Sequence, residues 1–91
     1  MFDFDFSEEL RRQIKSLSKR DAALADALSK KVREVCSRDE NTIDFYKNLK
    51  KPLNEFKRVH VGNFVLVFRV DKAHNFIFFE YMRHHDDAYG R

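Results

Sequence analysis

Cysteine, glycine and proline are scarce in this chain, and tryptophan is absent. A lone cysteine, Cys36, permits neither an internal disulfide nor a multi-cysteine zinc site, which suits a reducing compartment. Two glycines and one proline in 91 residues leave little material for irregular backbone, so regular elements with short joints are expected. No apolar run exceeds the five residues Phe64–Phe68, far below the ~20 that a spanning helix needs. The opening Met1-Phe2-Asp3-Phe4-Asp5-Phe6 carries acids where a secretory signal carries basic residues. These absences lead us to expect a soluble, cytoplasmic protein with no membrane partner.

What is present supports one folded unit over residues 1–91, with a 43% hydrophobic fraction that includes ten Phe and three Tyr. The charge is unevenly placed. Residues 1–45 hold nine Lys/Arg against ten Asp/Glu, a balance of −1; residues 46–91 hold nine against five, a balance of +4, together with all four His. Within 46–58, Lys47, Lys50, Lys51, Lys57 and Arg58 are opposed only by Glu55. Such a basic segment is either a solvated loop or a surface for a polyanion, most simply nucleic acid.

Phe2, Phe4 and Phe6 alternate with Asp3 and Asp5, the period of a half-buried strand. Ser7 offers a helix N-cap, with Glu8 and Glu9 in the first turn where the dipole favours them. Leu10, Ile14 and Leu17 predict a helix over 8–18; Leu24, Leu28, Val32 and Val35 predict a second over 21–37, with Cys36 as a small core residue. The short joint makes the two an antiparallel hairpin. Residues 38–55 read as irregular. Strands are predicted over 56–61, 64–70 and 76–82.

Gly62-Asn63 reads as a two-residue hairpin turn, and pairing Val61 with Phe64 fixes a register. Phe56, Arg58 and His60 then share a face with Val65, Val67 and Arg69, while Val59, Val61, Phe64, Leu66, Phe68 and Val70 line the opposite face against the helices. Setting Val70 opposite Phe76 adds Ile77, Phe79, Tyr81 and Arg83 to the Arg58 face. The expected fold class is α+β: a helical hairpin on one face of a four-stranded, mainly antiparallel sheet, in the order strand–helix–helix–strand–strand–strand. The other face should be open.

No glycine-rich phosphate loop, nucleophile triad or glycosidase carboxylate pair occurs in the sequence. His84-His85-Asp86-Asp87 is dense in ligand types, but neighbours in a strand point to opposite sides, so a solvated segment is favoured over a metal site and no cofactor is expected. Cations on one sheet face beside His60, His84, His85 and Tyr89 suit RNA cleavage without a metal. That reaction needs a base for the 2′-hydroxyl, cations for the charge on phosphorus and an acid for the leaving 5′-oxygen. Phe79 and Tyr81 could stack on unpaired bases.

The segment LKKPLNEFKRVHVGNFVLVFRV over 49–70, followed by Arg83 and the closing HHDDAYGR, resembles the RelE/ParE superfamily of type II toxins. The similarity spans the chain in element order and 49–89 in motif. It implies a toxin that inhibits translation by cutting mRNA on the ribosome and is neutralised by a cognate antitoxin. It further implies a metal-independent endoribonuclease with catalytic groups at Lys57, Arg58, His60, Arg83 and Tyr89, and RNA contacts at Lys47, Lys50, Lys51, Arg69 and His85. Val65 stands where the family usually carries Arg, with Arg69 farther along the same face. Two alternatives stay open: a ParE-like gyrase poison, which would dispense with Tyr89 and Arg83, and a non-cutting relative that binds RNA or antitoxin, for which Val65 argues.

Overall fold

Ser7 starts the first helix as its spacing suggests: its hydroxyl accepts from the Leu10 N–H at 3.0 Å, and Glu8 and Glu9 occupy the first turn. The computed structural model describes residues 1–88. Strand β1 spans Asp3–Phe6, helix α1 Glu8–Arg20 and helix α2 Ala22–Cys36, with Asp21 ending one helix and capping the next. Strands β2 (Lys57–Val61), β3 (Phe64–Asp71) and β4 (Phe76–His84) follow, and a short helix, α3, covers His85–Ala88. The sheet order is β1-β4-β3-β2, parallel between β1 and β4 and antiparallel elsewhere.

Leu10, Leu17, Leu28, Val32, Val35 and Cys36 from the helices pack on Val61, Leu66, Phe68, Ile77 and Phe79 from the sheet. Burial pushes the Cys36 thiol up to about 11, as expected of a small core residue rather than a reactive one. Residues 38–55 are more ordered than their polarity suggests. A 3-10 turn at Ile43–Phe45 puts Ile43 wholly into the core, and Asn48 pairs with Lys57 at the outer edge of β2. Phe4 lies at the sheet edge, 47% exposed, covered by the rings of Phe6 and Phe79.

The β2–β3 register holds from Val61/Phe64 through Lys57/Phe68, with Gly62 at φ +61° in the turn. The β3–β4 register differs from expectation. Asp71, not Val70, lies opposite Phe76, so Ile77 and Phe79 turn into the core rather than onto the open face. Glu80 is then an extra residue between the Phe68/Phe79 and Val67/Tyr81 pairs, a β-bulge that reverses the alternation again. Tyr81 and Arg83 consequently regain the Arg58 face. Phe79 is unavailable for base stacking.

Candidate functional site

Two rows of side chains cross the open face near the β2–β3 turn. One runs Arg58, Val67, Tyr81; the other runs His60, Val65, Arg83. Strands lie ~4.8 Å apart and alternate residues ~6.6 Å apart, so Arg58, His60, Tyr81 and Arg83 project from the corners of a rectangle of about 10 by 7 Å. Two arginine side chains extended toward its centre would bring both guanidinium groups to one phosphate. Val65 and Val67 form the floor between the rows and are 0% and 1% exposed. Valine at 65 therefore does more than lack a charge: it gives the functional groups an apolar base to stand on.

The Arg83 guanidinium lies 4.1 Å from the centre of the Tyr81 ring. Its Nη1 donates to Glu9 Oε2 at 2.9 Å and to the Met82 carbonyl at 3.1 Å. Glu9 and Arg83 are 74 residues apart, and nothing local in the sequence signals the pair. Glu9 reads simply as a first-turn acid. Helix α1 also closes the end of β4: the Gln13 side chain accepts from the Met82 N–H at 2.8 Å and donates to the Met82 carbonyl at 3.0 Å. One amide thus takes the place of a neighbouring strand where β1 has ended.

The His60 and His85 rings stack, with centroids 5.2 Å apart at 24°. The His85 N–H donates to the Asn63 carbonyl at 3.0 Å, which ties the start of α3 to the β2–β3 turn. His84 instead packs edge-on against Phe64, so the adjacent histidines diverge. The structure therefore places Arg58, His60, Tyr81 and Arg83 on one face, with Arg83 over the Tyr81 ring and His85 stacked on His60.

Other residues named from the sequence lie elsewhere. Lys57 is on the opposite face, its side chain only 9% exposed, with Nζ at 3.1 Å from Asp44 Oδ1, 3.1 Å from the Tyr46 carbonyl and 3.0 Å from Asn48 Oδ1. Asp44 also receives Lys72, and the two lysine hydrogen bonds, that from Lys72 the larger influence, hold its carboxyl below the usual carboxylate range. Lys47 is exposed beside β2, where its carbonyl accepts from the Arg58 N–H at 3.0 Å. Lys50 and Lys51 are exposed in the following turn. Arg69 shares the open face but stands four residues, ~13 Å, along β3 from Val65. It is bound to Glu80 at 2.7 Å and flanked by the Phe56 and Phe78 rings. Tyr89 lies outside the described residues.

No protein-family model matches the chain. It is 39% identical over 90 residues to a Methanocaldococcus jannaschii protein named as toxin RelE4, covering 98% of this chain and 92% of that one. A Methanosarcina mazei protein of uncharacterised function is 32% identical over 90 residues, covering 98% and 100%. The fold matches a chain from the toxin–antitoxin complex RelBE2 of Mycobacterium tuberculosis with a TM-score of 0.72 at 20% identity, covering 91% and 96% of the two chains. A chain from the intact E. coli RelBE toxin–antitoxin complex gives a TM-score of 0.68 at 18% identity, covering 90% and 94%.

Proposed function

The chain belongs to the RelE toxin family, and from that premise we propose that it stops translation by cutting mRNA on the ribosome, without a metal, under the control of a partner antitoxin. The observation that carries this reading is that Arg58, His60, Tyr81 and Arg83 share one sheet face, with His85 stacked on His60. Arg58 and Arg83 hold the scissile phosphate and spread the charge that builds on phosphorus. His60, oriented by its stack on His85, removes the 2′-hydroxyl proton; the 2′-oxygen attacks phosphorus and the bond to the 5′-oxygen breaks. Tyr89, placed by the family resemblance, supplies the proton for that leaving oxygen.

Arg83 already rests on Glu9 and Tyr81, so substrate phosphate has to displace the Glu9 carboxylate. That exchange is inexpensive, because the pair is 40% and 46% exposed and such pairs contribute ~1 kcal/mol or less. In the ground state a phosphodiester carries the same single charge as the carboxylate; it wins the guanidinium as further negative charge builds on the phosphoryl oxygens in the transition state. Lys47 beside β2 and the Lys50–Lys51 turn extend the positive surface along which a strand would lie. An antitoxin partner is supported by the fold matches to toxin–antitoxin complexes, and Phe45, 71% exposed, offers such a partner an apolar anchor.

Ribosomes programmed with a defined mRNA test the reading. Added protein should cut the message within the ribosome-bound stretch, with or without a chelator, and antitoxin should prevent the cut. Intact message together with blocked DNA replication and normal protein synthesis in expressing cells would assign the chain to the gyrase-poisoning class instead.

A further inference from the structure

The outer face of α1 collects Arg12, Lys15, Lys19 and Arg20 around Ser16 in one shallow depression. Arg12, Lys15 and Lys19 are spaced three and four apart along one helical stripe, Arg20 flanks it next to Lys19, and all four residues are exposed. Arg12 has only a loose partner, Glu8 at 3.8 Å. Lys15, Lys19 and Arg20 have no acid within ion-pair distance among the described residues. The helix dipole accounts for Lys19 and Arg20 in the last turn, but it gives no reason for Arg12 and Lys15. Four like charges within ~12 Å of helix rise repel one another unless an anion shares them. Charge counting hides this patch, because most acids of the first 45 residues lie outside α1, at β1, α2 and residues 39–44.

We propose that this stripe binds the phosphate backbone of structured RNA, as a contact separate from the sheet face. The make-up of the stripe argues against a protein occupant. Between the cations lies only Ser16, and of the apolar residues in the adjoining groove Leu17 and Met82 are buried and Phe64 half-buried, so the stripe itself presents charge without an apolar anchor. A duplex strand offers phosphates at regular intervals along the ~12 Å of the stripe, so more than one of the cations meets a phosphate. Arg12 and Arg20 also border the groove lined by Glu9, Gln13 and Met82, which leads to the edge of β4 and to Arg83. The stripe thus grips RNA beside the cutting face rather than on it. This inference rests on the proposed action at the ribosome, whose RNA is largely double-helical, and deepens it by naming a surface that docks there.

The test measures binding, not cleavage. A ~20-bp RNA duplex is titrated with the wild-type chain and with the Lys15→Gln/Lys19→Gln/Arg20→Gln variant over a range of salt, each lost contact reducing the log–log salt slope by about 0.9. The variant should bind at least ~10-fold more weakly at low salt and lose ~2–3 from the slope, while its thermal midpoint stays close to that of the wild type. Lys15→Arg/Lys19→Arg should restore nothing lost and keep wild-type binding. Equal affinity and slope in wild type and triple variant would overturn the proposal, as would failure of the wild type to bind duplex. Unchanged RNA affinity with weakened antitoxin binding would give the stripe to a protein partner and overturn it equally. If the triple variant loses duplex binding but the wild type never cuts ribosome-bound mRNA, the stripe stands and the cleavage reading falls.

Discussion

Replacing Lys57 with Met separates two roles that the same residue could hold. The resemblance places Lys57 among the catalytic groups, whereas its ammonium bridges Asp44, the Tyr46 carbonyl and Asn48 on the face away from Arg58. Methionine keeps the length and apolar stem but removes every donor. The buried Tyr46 carbonyl and the part-buried Asn48 oxygen then lack a partner, at ~1–3 kcal/mol each when water cannot replace it. Asp44 is 57% exposed and keeps Lys72, so that loss adds little. Methionine also escapes the desolvation penalty of a buried ammonium. The net destabilisation is about 2 kcal/mol, which for a domain of this size lowers Tm by ~8–16 °C. Thermal unfolding followed by circular dichroism gives the shift. Cleavage is then measured well below the variant's Tm, where nearly all molecules are folded. The expected outcome is a lowered Tm with cutting close to wild type. A wild-type Tm with cutting reduced ~10²-fold or more would refute the reasoning and return Lys57 to the chemistry.

The remaining expectations concern the site, its support and the acid limit of stability. Arg83→Lys should lower cleavage on ribosomes nearly as much as Arg83→Ala, because a single ammonium cannot reproduce bidentate phosphate contact; full activity with Lys would show that charge alone matters. Gln13→Ala exposes the Met82 N–H and carbonyl at the β4 edge and should cost about 1–3 kcal/mol in urea unfolding, whereas an unchanged midpoint would mean that water replaces the amide. Glu34 accepts from the Tyr46 hydroxyl at 2.7 Å, and this bond, followed by that from Lys31, holds its carboxyl below its ordinary value. A depressed folded value means that the contribution is present at neutral pH and disappears as pH falls through the folded value. The Tm difference between wild type and Glu34→Gln should therefore shrink as pH is lowered from ~6 to ~3, and a difference that persists at the acid end would contradict the assignment.

Local chemistry made several elements legible in the sequence. Ser7 and the two following acids start α1, the three- and four-residue apolar spacing defines both helices, and Gly62 before Asn63 fixes the β2–β3 register. Each signal lies within a few residues of the structure it specifies. Alternation on either side of that turn was enough to put Arg58 and His60 on one face. The bulge at Glu80 follows a different logic. Periodicity carries a strand forward without interruption, whereas the bulge arises when β4 must fit β3 and also receive Ser7, whose hydroxyl donates to the Glu80 carbonyl. The one-residue shift at the β3–β4 turn is what moves Ile77 and Phe79 off the expected face, while Tyr81 and Arg83 regain it because that shift and the bulge cancel.

Long-range packing settled the rest. Residue type alone makes Lys57 a surface cation, and only the return of residues 43–48 beneath β2 gathers three oxygen acceptors around its ammonium. Glu9 and Gln13 belong to α1 by pattern, yet their work is done at Arg83 and Met82, on a strand that reaches them only after the whole chain has folded. The sequence by itself determined the helices, the hairpin turn and which residues of β2 and β3 share the open face, because these depend on spacing along the chain. The tertiary structure decided which cations stand on that face and which is held on the opposite one as a strut, because burial and partnership depend on residues distant in sequence.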